Sequence, residues 1–459
     1  MFYQEVVESR WTRMNLVIED GTIVTLSRNG TIKNGAIVIE DDKIVGIGKT
    51  DKLKPKYSRY EKINAKNKVI IPGLINTHHH AAMSILRGYA DDLDLKTWLE
   101  KWIWVIEKHM TNRDIYAGAL LTAVESIMGG TTTINTMYHY SDEYNEARAF
   151  AETGLRGVVG HVCFSWRKNQ DRIALESLAR TWHNKKGGLI RVSVDPHAPY
   201  TVSSDYMKEL RAFTQELNEK YASENSPIIW HTHVAETPDE PEKIRQTFNV
   251  AVQDGVVDYL DGLGVLSSDV VAAHCVHLTK RDMEILKERK VKVAHNPISN
   301  LKLASGISPV PQLLKKGITV SLGTDSSCSN NSSDMFEVMK LAALLHKGIS
   351  RDPTVLSAEK ALCMATINGA EALSWDKEVG SIEVGKKADL AIVDFKKPHL
   401  TPIYNETSHL VYSAKNADVD TVIINGKIIM ENREIKTLNV DKVMALVEKT
   451  KQSLIERVK

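Results

Sequence analysis

Two histidines on one face of a strand are the first residues of this sequence that could do chemistry. His78, His79 and His80 end an apolar run that begins at Ile70. Side chains alternate between the two faces of a strand, so His78 and His80 point one way and His79 points the other. Neutral imidazole is a good ligand for divalent zinc and iron. The stretch is compatible with a metal site, or with a plain polar cluster at a strand end.

Further histidines and acids stand at the ends of later apolar runs. They are His231, His233 and Glu236 after one run, His274 after the next and Asp325 after the last. A catalytic metal site takes histidines from separate strands plus a carboxylate, and keeps one position for water. A bound ion lowers the pKa of that water toward about 7, and neighbouring groups move the protons. These residue types therefore fit metal-assisted hydrolysis.

Eight apolar runs must position these side chains. Continuous rather than alternating hydrophobicity is typical of parallel strands buried on both faces, and segments of helical periodicity lie between the runs. Eight such units predict an α/β protein with a (β/α)8 TIM barrel; a doubly wound open sheet is the alternative. Barrel enzymes build their sites at the carboxyl ends of the strands, where the polar residues fall here, and this favours closure. The runs cover residues 69–80, 131–140, 155–164, 189–200, 227–237, 270–278, 291–300 and 318–331.

Short strands with turn signals mark both ends of the chain, over residues 15–47, 380–394 and 419–432. Neither end can bury a good core by itself, so we predict one small β-sandwich built from both ends. A helix over 440–458 closes the chain, and residues 1–13 are expected to be a loosely held extension. The predicted domain limits are 1–67 for the first part of the sandwich, 68–380 for the barrel and 381–459 for the rest of the sandwich with the terminal helix.

Composition disfavours several classes of partner. The 459 residues carry a net charge of +1, which gives no bulk electrostatic reason to bind nucleic acid or an anionic membrane. No apolar run approaches the roughly 18 residues of a membrane span, and the first residues lack the apolar centre of a signal peptide. The four cysteines form no CxxC pair and are expected to be free thiols. We therefore expect a cytoplasmic protein.

Together these motifs resemble the amidohydrolase superfamily over nearly the whole chain. PGLINTHHH resembles its PGxxxxHxH signature, HVAET its HxxE motif, AAHCVHL its strand-six histidine and SLGTDSS its strand-eight aspartate. The resemblance implies that Glu236 protonates the substrate ring, and that His274 and Asp325 handle the protons of the attacking water. It implies four metal ligands: His78, His80, His233 and Asp325.

The resemblance also bears on the number of metal ions. Binuclear members of the superfamily bridge two ions with a carboxylated lysine at the end of strand four. Here that strand ends in Asp195-Pro196-His197, so we expect one divalent ion. HxxE with a strand-six histidine is typical of the mononuclear deaminase branch, which includes chlorotriazine hydrolases. Zinc is the first choice and iron the second, because three histidines and an aspartate do not separate them.

The segment RGYADDLDLKTWLEKWIWVIEKHM resembles the family of 5-methylthioadenosine/S-adenosylhomocysteine deaminases. In that family the glutamate that closes the segment binds both ribose hydroxyls, and it matches Glu107. A carboxylate is a suitable acceptor for two vicinal hydroxyls; the alternative for Glu107 is an ordinary surface glutamate on an amphipathic helix. The family's adenine-contacting histidine in a PHxPY run matches His197.

His161 and Arg172 are the candidate contacts of the 5′-substituent. Family members that use S-adenosylhomocysteine can hold its carboxylate with an arginine at the end of strand three, where this chain has His161; Arg172 is a possible substitute from the next loop. A neutral methylthio group needs no such clamp, which favours methylthioadenosine or another 5′-modified adenosine. Trp104 is a candidate wall of the substrate pocket. Trp98 and Trp102 stand at helical spacing and are expected to pack in the core.

The sequence thus predicts a metal-dependent hydrolase that deaminates a small-molecule nucleoside, a 5′-modified adenosine, to the inosine analogue and ammonia. The alternative within the same branch is a deaminase or chlorohydrolase of a guanine-like base or an s-triazine. A metal-stabilised scaffold without catalysis is a further alternative. By resemblance we expect a homo-oligomer, and we expect neither a nucleic-acid nor a membrane partner.

Overall fold

Two β-sheets organise the described part of the chain, residues 15–54 and 56–459 of a computed structural model. The extension expected over residues 1–13 lies outside the described residues. In chain order the strands are β1 (Asn15–Val24), β2 (Thr31–Glu40), β3 (Lys43–Lys49), β4 (Glu61–Asn64), β5 (Lys68–Pro72), β6 (Leu74–His79), β7 (Thr131–Tyr138), β8 (Arg156–Cys163), β9 (Ile190–Pro196), β10 (Ile229–Val234), β11 (Val270–His274), β12 (Lys292–His295), β13 (Val320–Leu322), β14 (Leu390–Asp394), β15 (Val419–Ile424), β16 (Lys427–Glu431) and β17 (Glu434–Ile435).

Helices connect the strands and cover the outside of the barrel. They are α1 (Thr50–Leu53), α2 (Leu95–Trp98), α3 (Trp104–Glu107), α4 (Asn112–Met128), α5 (Glu146–Thr153), α6 (Lys168–Trp182), α7 (Lys185–Gly188), α8 (Ser204–Tyr221), α9 (Glu240–Phe248), α10 (Val256–Gly262), α11 (Lys280–Glu288), α12 (Pro297–Lys302), α13 (Val310–Lys315), α14 (Met335–Ser350), α15 (Ala358–Met364), α16 (Ile367–Ala372), α17 (Glu406–Tyr412) and α18 (Val440–Val458). A π-helical turn over Leu99–Ile103 joins α2 to α3.

Strands β6 to β13 form an eight-stranded sheet in sequence order, and their ladders are parallel. Each of the eight apolar runs supplies one strand of this sheet, which confirms the predicted barrel. At the seam between β13 and β6, the N–H of Asp325 donates to the carbonyl of His78 at 3.0 Å. Gly323 permits this approach, because a Cβ there would lie 2.9 Å from the Cβ of His78. The seam therefore brings the ends of the first and eighth strands together.

The second sheet is mixed and built from both ends of the chain, as predicted. Its nine strands run in the order β17-β16-β15-β14-β5-β1-β2-β3, with β4 beside β1. Strand β5 (Lys68–Pro72) pairs with β1 and β14, although the sequence-based limits counted it with the barrel. The apolar run through Ile75 gives no sign of where the chain passes from one sheet to the other. The break falls at Gly73, where a Cβ would lie 2.1 Å from Oγ1 of Thr132.

The terminal helix α18 begins and ends at the predicted residues, Val440 and Val458. It packs against α4, and Arg457 pairs with Asp114 at 2.5 Å across that contact. Within the described ranges we find no helix that combines the length and the apolar character of a membrane span.

Candidate active site

Four side chains converge at the carboxyl end of the barrel. His78 and His80 come from the end of β6, His233 from β10 and Asp325 from the turn after β13. Nε2 of His78 and Nε2 of His80 each lie 3.4 Å from Oδ1 of Asp325, and Nε2 of His233 lies 3.3 Å from Nε2 of His80. His79 points the other way, as strand alternation predicts, and its Nδ1 donates to the carbonyl of Asp325 at 2.5 Å. The structure thus brings the four predicted metal ligands together.

The far nitrogens of the three histidines that are expected to bind the metal ion are already engaged. A ring nitrogen that donates a hydrogen bond carries the proton, so the other nitrogen keeps its lone pair. All three Nε2 atoms can therefore face the same point as acceptors. The contacts are His78 Nδ1 to His231 Nε2 (2.8 Å), His80 Nδ1 to the Met137 carbonyl (2.8 Å) and His233 Nδ1 to the His197 carbonyl (2.6 Å).

This donor set fits a divalent metal ion. Nε2 of His78 is buried and has no hydrogen-bond partner among the described residues, whereas buried polar atoms nearly always have one. Ligand atoms about 2.0–2.1 Å from one ion in tetrahedral geometry lie roughly 3.4 Å apart. The spacings of 3.3 and 3.4 Å between these atoms agree with that geometry. Three imidazoles and a carboxylate are ligands that zinc and iron accept.

Protonation states at this site also suit metal binding. Burial lowers the pKa of His78 and His233 well below the ordinary value and lowers that of His80, so the imidazoles are neutral. Burial alone would raise the pKa of Asp325, but its interaction with the facing His78 outweighs this effect, and the pKa lies well below its usual value. Neutral imidazole and ionised carboxylate are the forms that bind a metal ion.

Two further titratable groups flank the ligands. Oε1 of Glu236 lies 3.8 Å from Nδ1 of His274. His274 donates its Nδ1–H to Oδ1 of Asn300 at 2.8 Å, so its Nε2 is available to accept a proton. Burial raises the pKa of Glu236, which favours the protonated acid. One group is therefore prepared to take a proton and the other to give one.

The backbone is strained where these side chains leave the barrel. Ala235, His274 and Asp325 have φ angles of 50°, 73° and 61°. Residues other than glycine rarely adopt this left-handed conformation, and when they do they cluster at functional sites. Each of the three lies at or just after the end of a barrel strand. The strain thus coincides with the residues expected to do the chemistry.

A cavity of about 620 Å³ opens above the ligands. All the predicted site residues line it except His78, which is fully buried, and His161. The cavity therefore brings most of the predicted metal ligands, acid–base groups and substrate contacts into one space. Its predicted lining residues are His80, Trp104, Glu107, His197, His233, Glu236, His274 and Asp325, and the apolar part includes Leu95, Trp98, Ile103, Met137, Val162 and Phe164.

Glu107 ends α3 and lies at the edge of this cavity. Tyr138 donates its hydroxyl to Oε1 of Glu107 at 2.7 Å. Burial raises the pKa of Glu107 to about 7, although the hydrogen bond from Tyr138 acts in the opposite direction. This environment differs from that of an ordinary surface glutamate, which was the alternative reading of the sequence.

Flat rings form one wall of the cavity. His197 stacks on Phe164 with centroids 4.8 Å apart and planes at 29°, and its centroid lies 6.5 Å from that of Trp104. Thr201 Oγ1 lies 2.9 Å from Nδ1 of His197. Burial lowers the pKa of His197 to about 3, so the ring is neutral. Stacked aromatic walls of this kind suit a planar heterocycle.

His161 and Arg172 do not line the cavity, so neither is placed to contact a substrate there. His161 is buried, accepts the N–H of Tyr140 at 3.0 Å and donates to Asp171 at 2.9 Å, which uses both ring nitrogens. Its neighbour Val162 lines the cavity, and adjacent strand residues face opposite ways. Arg172 pairs with Glu216 at the surface.

The tryptophan-rich helix also departs from expectation. Trp98 is buried, as predicted, and forms part of the cavity wall. Trp102 is 41% exposed and meets the ring of Tyr89 at 5.8 Å, so its predicted core position is wrong. The π-helical turn over Leu99–Ile103 widens the helix between them and breaks the regular spacing on which the prediction depended.

Two polar residues that the sequence analysis missed lie on α12. Oγ of Ser299 donates to Oδ2 of Asp325 at 2.6 Å, and Oδ1 of Asn300 accepts from His274. They hold the two groups expected to handle the protons of water. The available signal was the polar sequence that follows His295 at the end of β12.

Comparisons with known proteins agree with this geometry. A 5-methylthioadenosine/S-adenosylhomocysteine deaminase from Thermoanaerobacter pseudethanolicus is 47% identical over 97% of this chain and 100% of the relative. A 5′-deoxyadenosine deaminase from Methanosarcina mazei is 42% identical over 97% and 99%. The crystal structure of an adenosine deaminase from Xanthomonas campestris with bound zinc has a TM-score of 0.89 and 30% identity, over 96% of this chain and 99% of that one. Because the model of the amidohydrolase family matches residues 69–429, the chain belongs to that family.

Proposed function

We propose that this chain is a metal-dependent hydrolase that deaminates 5′-modified adenosines to the inosine analogue and ammonia. The observation that carries the proposal is a single cavity with Glu236 and His274 beside the metal ligands and the carboxyl group of Glu107 at its edge. Relatives at 42–47% identity over nearly the full length, named as deaminases of such nucleosides, support it.

His78, His80, His233 and Asp325 would hold the metal ion, which would supply activation of water at neutral pH. We propose zinc, because the donor set suits it and the similar adenosine deaminase structure holds zinc. The anchors on the far nitrogens keep the three imidazoles in the tautomer that binds.

The acid–base groups then divide the proton transfers between them. Glu236, whose pKa is raised by burial, donates a proton to N1 of the purine as water adds to C6. His274 accepts a proton from the attacking water at Nε2, because its Nδ1 is committed to Asn300. Asp325 assists, with its second oxygen held by Ser299. His274 passes its proton to the 6-amino group, which leaves as ammonia, and Glu236 regains a proton from the C6 hydroxyl as the carbonyl forms. The apolar wall keeps competing water away.

The remaining residues select the substrate. The carboxylate of Glu107 accepts hydrogen bonds from both ribose hydroxyls, and the rings of His197 and Trp104 enclose the base. An outer cavity continues past Glu107 and is lined by Lys108 and Arg167. The 5′-substituent enters this outer cavity, where Arg167 takes the place that the sequence analysis gave to His161 or Arg172.

A deaminase or chlorohydrolase of a guanine-like base or an s-triazine remains the alternative. Such substrates have no ribose diol, so Glu107 would have no role in binding them. The homo-oligomer and the cytoplasmic location stay predictions.

A substrate panel tests the proposal. Zinc-loaded protein is given methylthioadenosine, 5′-deoxyadenosine, S-adenosylhomocysteine, adenine, guanine and a chlorotriazine, and adenine absorbance, ammonia and chloride are followed. We expect turnover of the nucleosides. Glu236→Gln should lower kcat by about 10²–10⁴ with unchanged zinc content, and Glu107→Gln should raise KM for nucleosides.

Arg167→Met is the matched control for Glu107→Gln. It should raise KM for S-adenosylhomocysteine and leave KM for methylthioadenosine unchanged. Turnover of only the free bases or the triazine would overturn the assignment of a nucleoside substrate. A Glu236→Gln variant as active as the parent would overturn the proposed mechanism.

A further inference from the structure

The three ligand histidines are anchored in two different ways. His80 and His233 donate to main-chain carbonyls, which carry no net charge. His78 instead meets a second imidazole, with its Nδ1 2.8 Å from Nε2 of His231. His231 is fully buried in β10, two residues before the ligand His233. One of the three ligands thus depends on a titratable side chain rather than on the backbone.

A carboxylate lies behind that second imidazole. Oδ2 of Asp195 is 3.7 Å from Nδ1 of His231, and both side chains are fully buried. Neither oxygen of Asp195 makes a direct hydrogen bond to a described residue, which leaves the carboxylate able to turn toward His231. Gly160 on the neighbouring strand makes room for it, because a Cβ there would lie 1.7 Å from Oδ2 of Asp195.

The direction of the hydrogens follows from the ligand end. His78 must keep a lone pair on Nε2 to bind a metal ion, so its proton is on Nδ1 and is donated to His231. Nε2 of His231 then accepts, and the proton of His231 is on Nδ1, which faces Asp195. Each donor in the series therefore points from the metal ligand toward the carboxylate.

We propose that Asp195 and His231 are positioning residues for His78, and that together they strengthen metal retention. The carboxylate orients His231, and His231 fixes the ring and tautomer of His78 and makes its Nε2 a stronger donor to the ion. The inference rests on the metal centre of the proposed function but not on its substrate.

Two substitutions at His231 separate its contact with His78 from its contact with Asp195. The amide oxygen of His231→Gln takes the place of Nε2 and still accepts from His78, whereas the amide nitrogen of His231→Asn takes the place of Nδ1 and keeps only the contact with Asp195. Asp195→Asn removes the charge with little change of shape. Thr133→Val is the control, since Thr133 is buried in the barrel and its hydroxyl has no hydrogen-bond partner among the described residues.

The measurement is the dissociation constant of zinc by competition with a chelator, with the absorption spectrum of the cobalt-loaded protein as a second readout. Asp195→Asn and His231→Asn should each weaken zinc binding about 10–100-fold and alter the cobalt spectrum. The double variant Asp195→Asn/His231→Asn should lose little more zinc affinity than the single variant that binds zinc more weakly, because both substitutions act on His78. His231→Gln should lose less than His231→Asn, and Thr133→Val should match the parent.

An Asp195→Asn variant with parental zinc affinity and cobalt spectrum would overturn the proposal, and so would losses that add fully in the double variant. If Asp195→Asn does not fold, the order of the two His231 variants still decides, and equal zinc affinities for them would overturn it. A protein that shows the expected order of zinc affinities but deaminates no adenosine would refute the proposed substrate and leave this inference standing.

Discussion

The two ends of the barrel bury polar groups in opposite ways. At the amino ends of the strands, Arg156 forms a bidentate pair with Asp389, with nitrogen–oxygen distances of 2.6 and 3.0 Å, and Arg191 pairs with Glu378. At the carboxyl ends, the lone pairs of three imidazoles face one another, and Nε2 of His78 has no partner among the described residues. The charged groups at the first end are paired within the chain, whereas the second end is built for a ligand.

The amino end also has an apolar cluster of its own. Trp375 is fully buried there, with the guanidinium groups of Arg156 and Arg191 at 5.2 and 4.4 Å from its ring. It packs against barrel residues such as Val158 and Ile229. The carboxyl end instead holds strained backbone at the site residues. One barrel thus separates stability from function, and the site is maintained at a cost in stability.

The largest effect should come from removing a ligand at the carboxyl end. His233→Ala takes away one of four donors, so zinc content should fall well below one per chain. Turnover should fall by at least about 10³-fold, equivalent to roughly 4 kcal/mol in the barrier. Metal analysis and steady-state kinetics on the same sample measure both. Full zinc content with parental kcat would show that this cluster is not the catalytic centre.

A change at the amino end should act on stability alone. Arg156→Met leaves the carboxylate of Asp389 buried without its cation, which should lower the free energy of unfolding by about 3–5 kcal/mol. Urea unfolding measures this loss of stability. Zinc content and kcat per folded molecule should stay within about twofold of the parent, since the 10³-fold effects on turnover come from residues at the carboxyl end. Adding Asp389→Asn should recover part of the loss. Loss of zinc from the folded variant would show that the two ends are coupled.

The features that the sequence predicted correctly depend on local periodicity. His78 and His80 share a face because side chains alternate along a strand, and the eight apolar runs correspond to the eight barrel strands. Polar residues at the ends of those runs, such as His274 and Asp325, then had to meet at one end of the barrel. The boundaries of α18 follow from helical spacing in the same way.

The features that the sequence could not predict depend on contacts between distant segments or on irregular backbone. Ser299 and Asn300 act through Asp325 and His274, which are about 26 residues away along the chain. Trp102 is exposed because a π-helical turn changes the spacing of its helix. His161 was matched to the family's arginine by its position along the chain. That match does not show whether its side chain faces the cavity or the surrounding helices.

The smallest effect should distinguish the carboxyl groups at the two ends by pH. Asp389 has the guanidinium of Arg156 beside it, whereas Glu107 accepts a hydrogen bond from the neutral hydroxyl of Tyr138. Burial raises the pKa of Glu107 from 4.5 to about 7. Between these values the unfolded chain releases the proton and the folded chain keeps it, so the folded state loses stability as pH rises. Above about pH 7 the cost is on the order of 3 kcal/mol. Glu107→Gln should therefore match the parent at low pH and exceed its stability by this amount near pH 8, as measured by urea unfolding across that range. A difference in the free energy of unfolding between variant and parent that stays constant with pH would mean that Glu107 is already ionised in the folded protein. The edge of the cavity would then stabilise a buried carboxylate as well as the amino end of the barrel does.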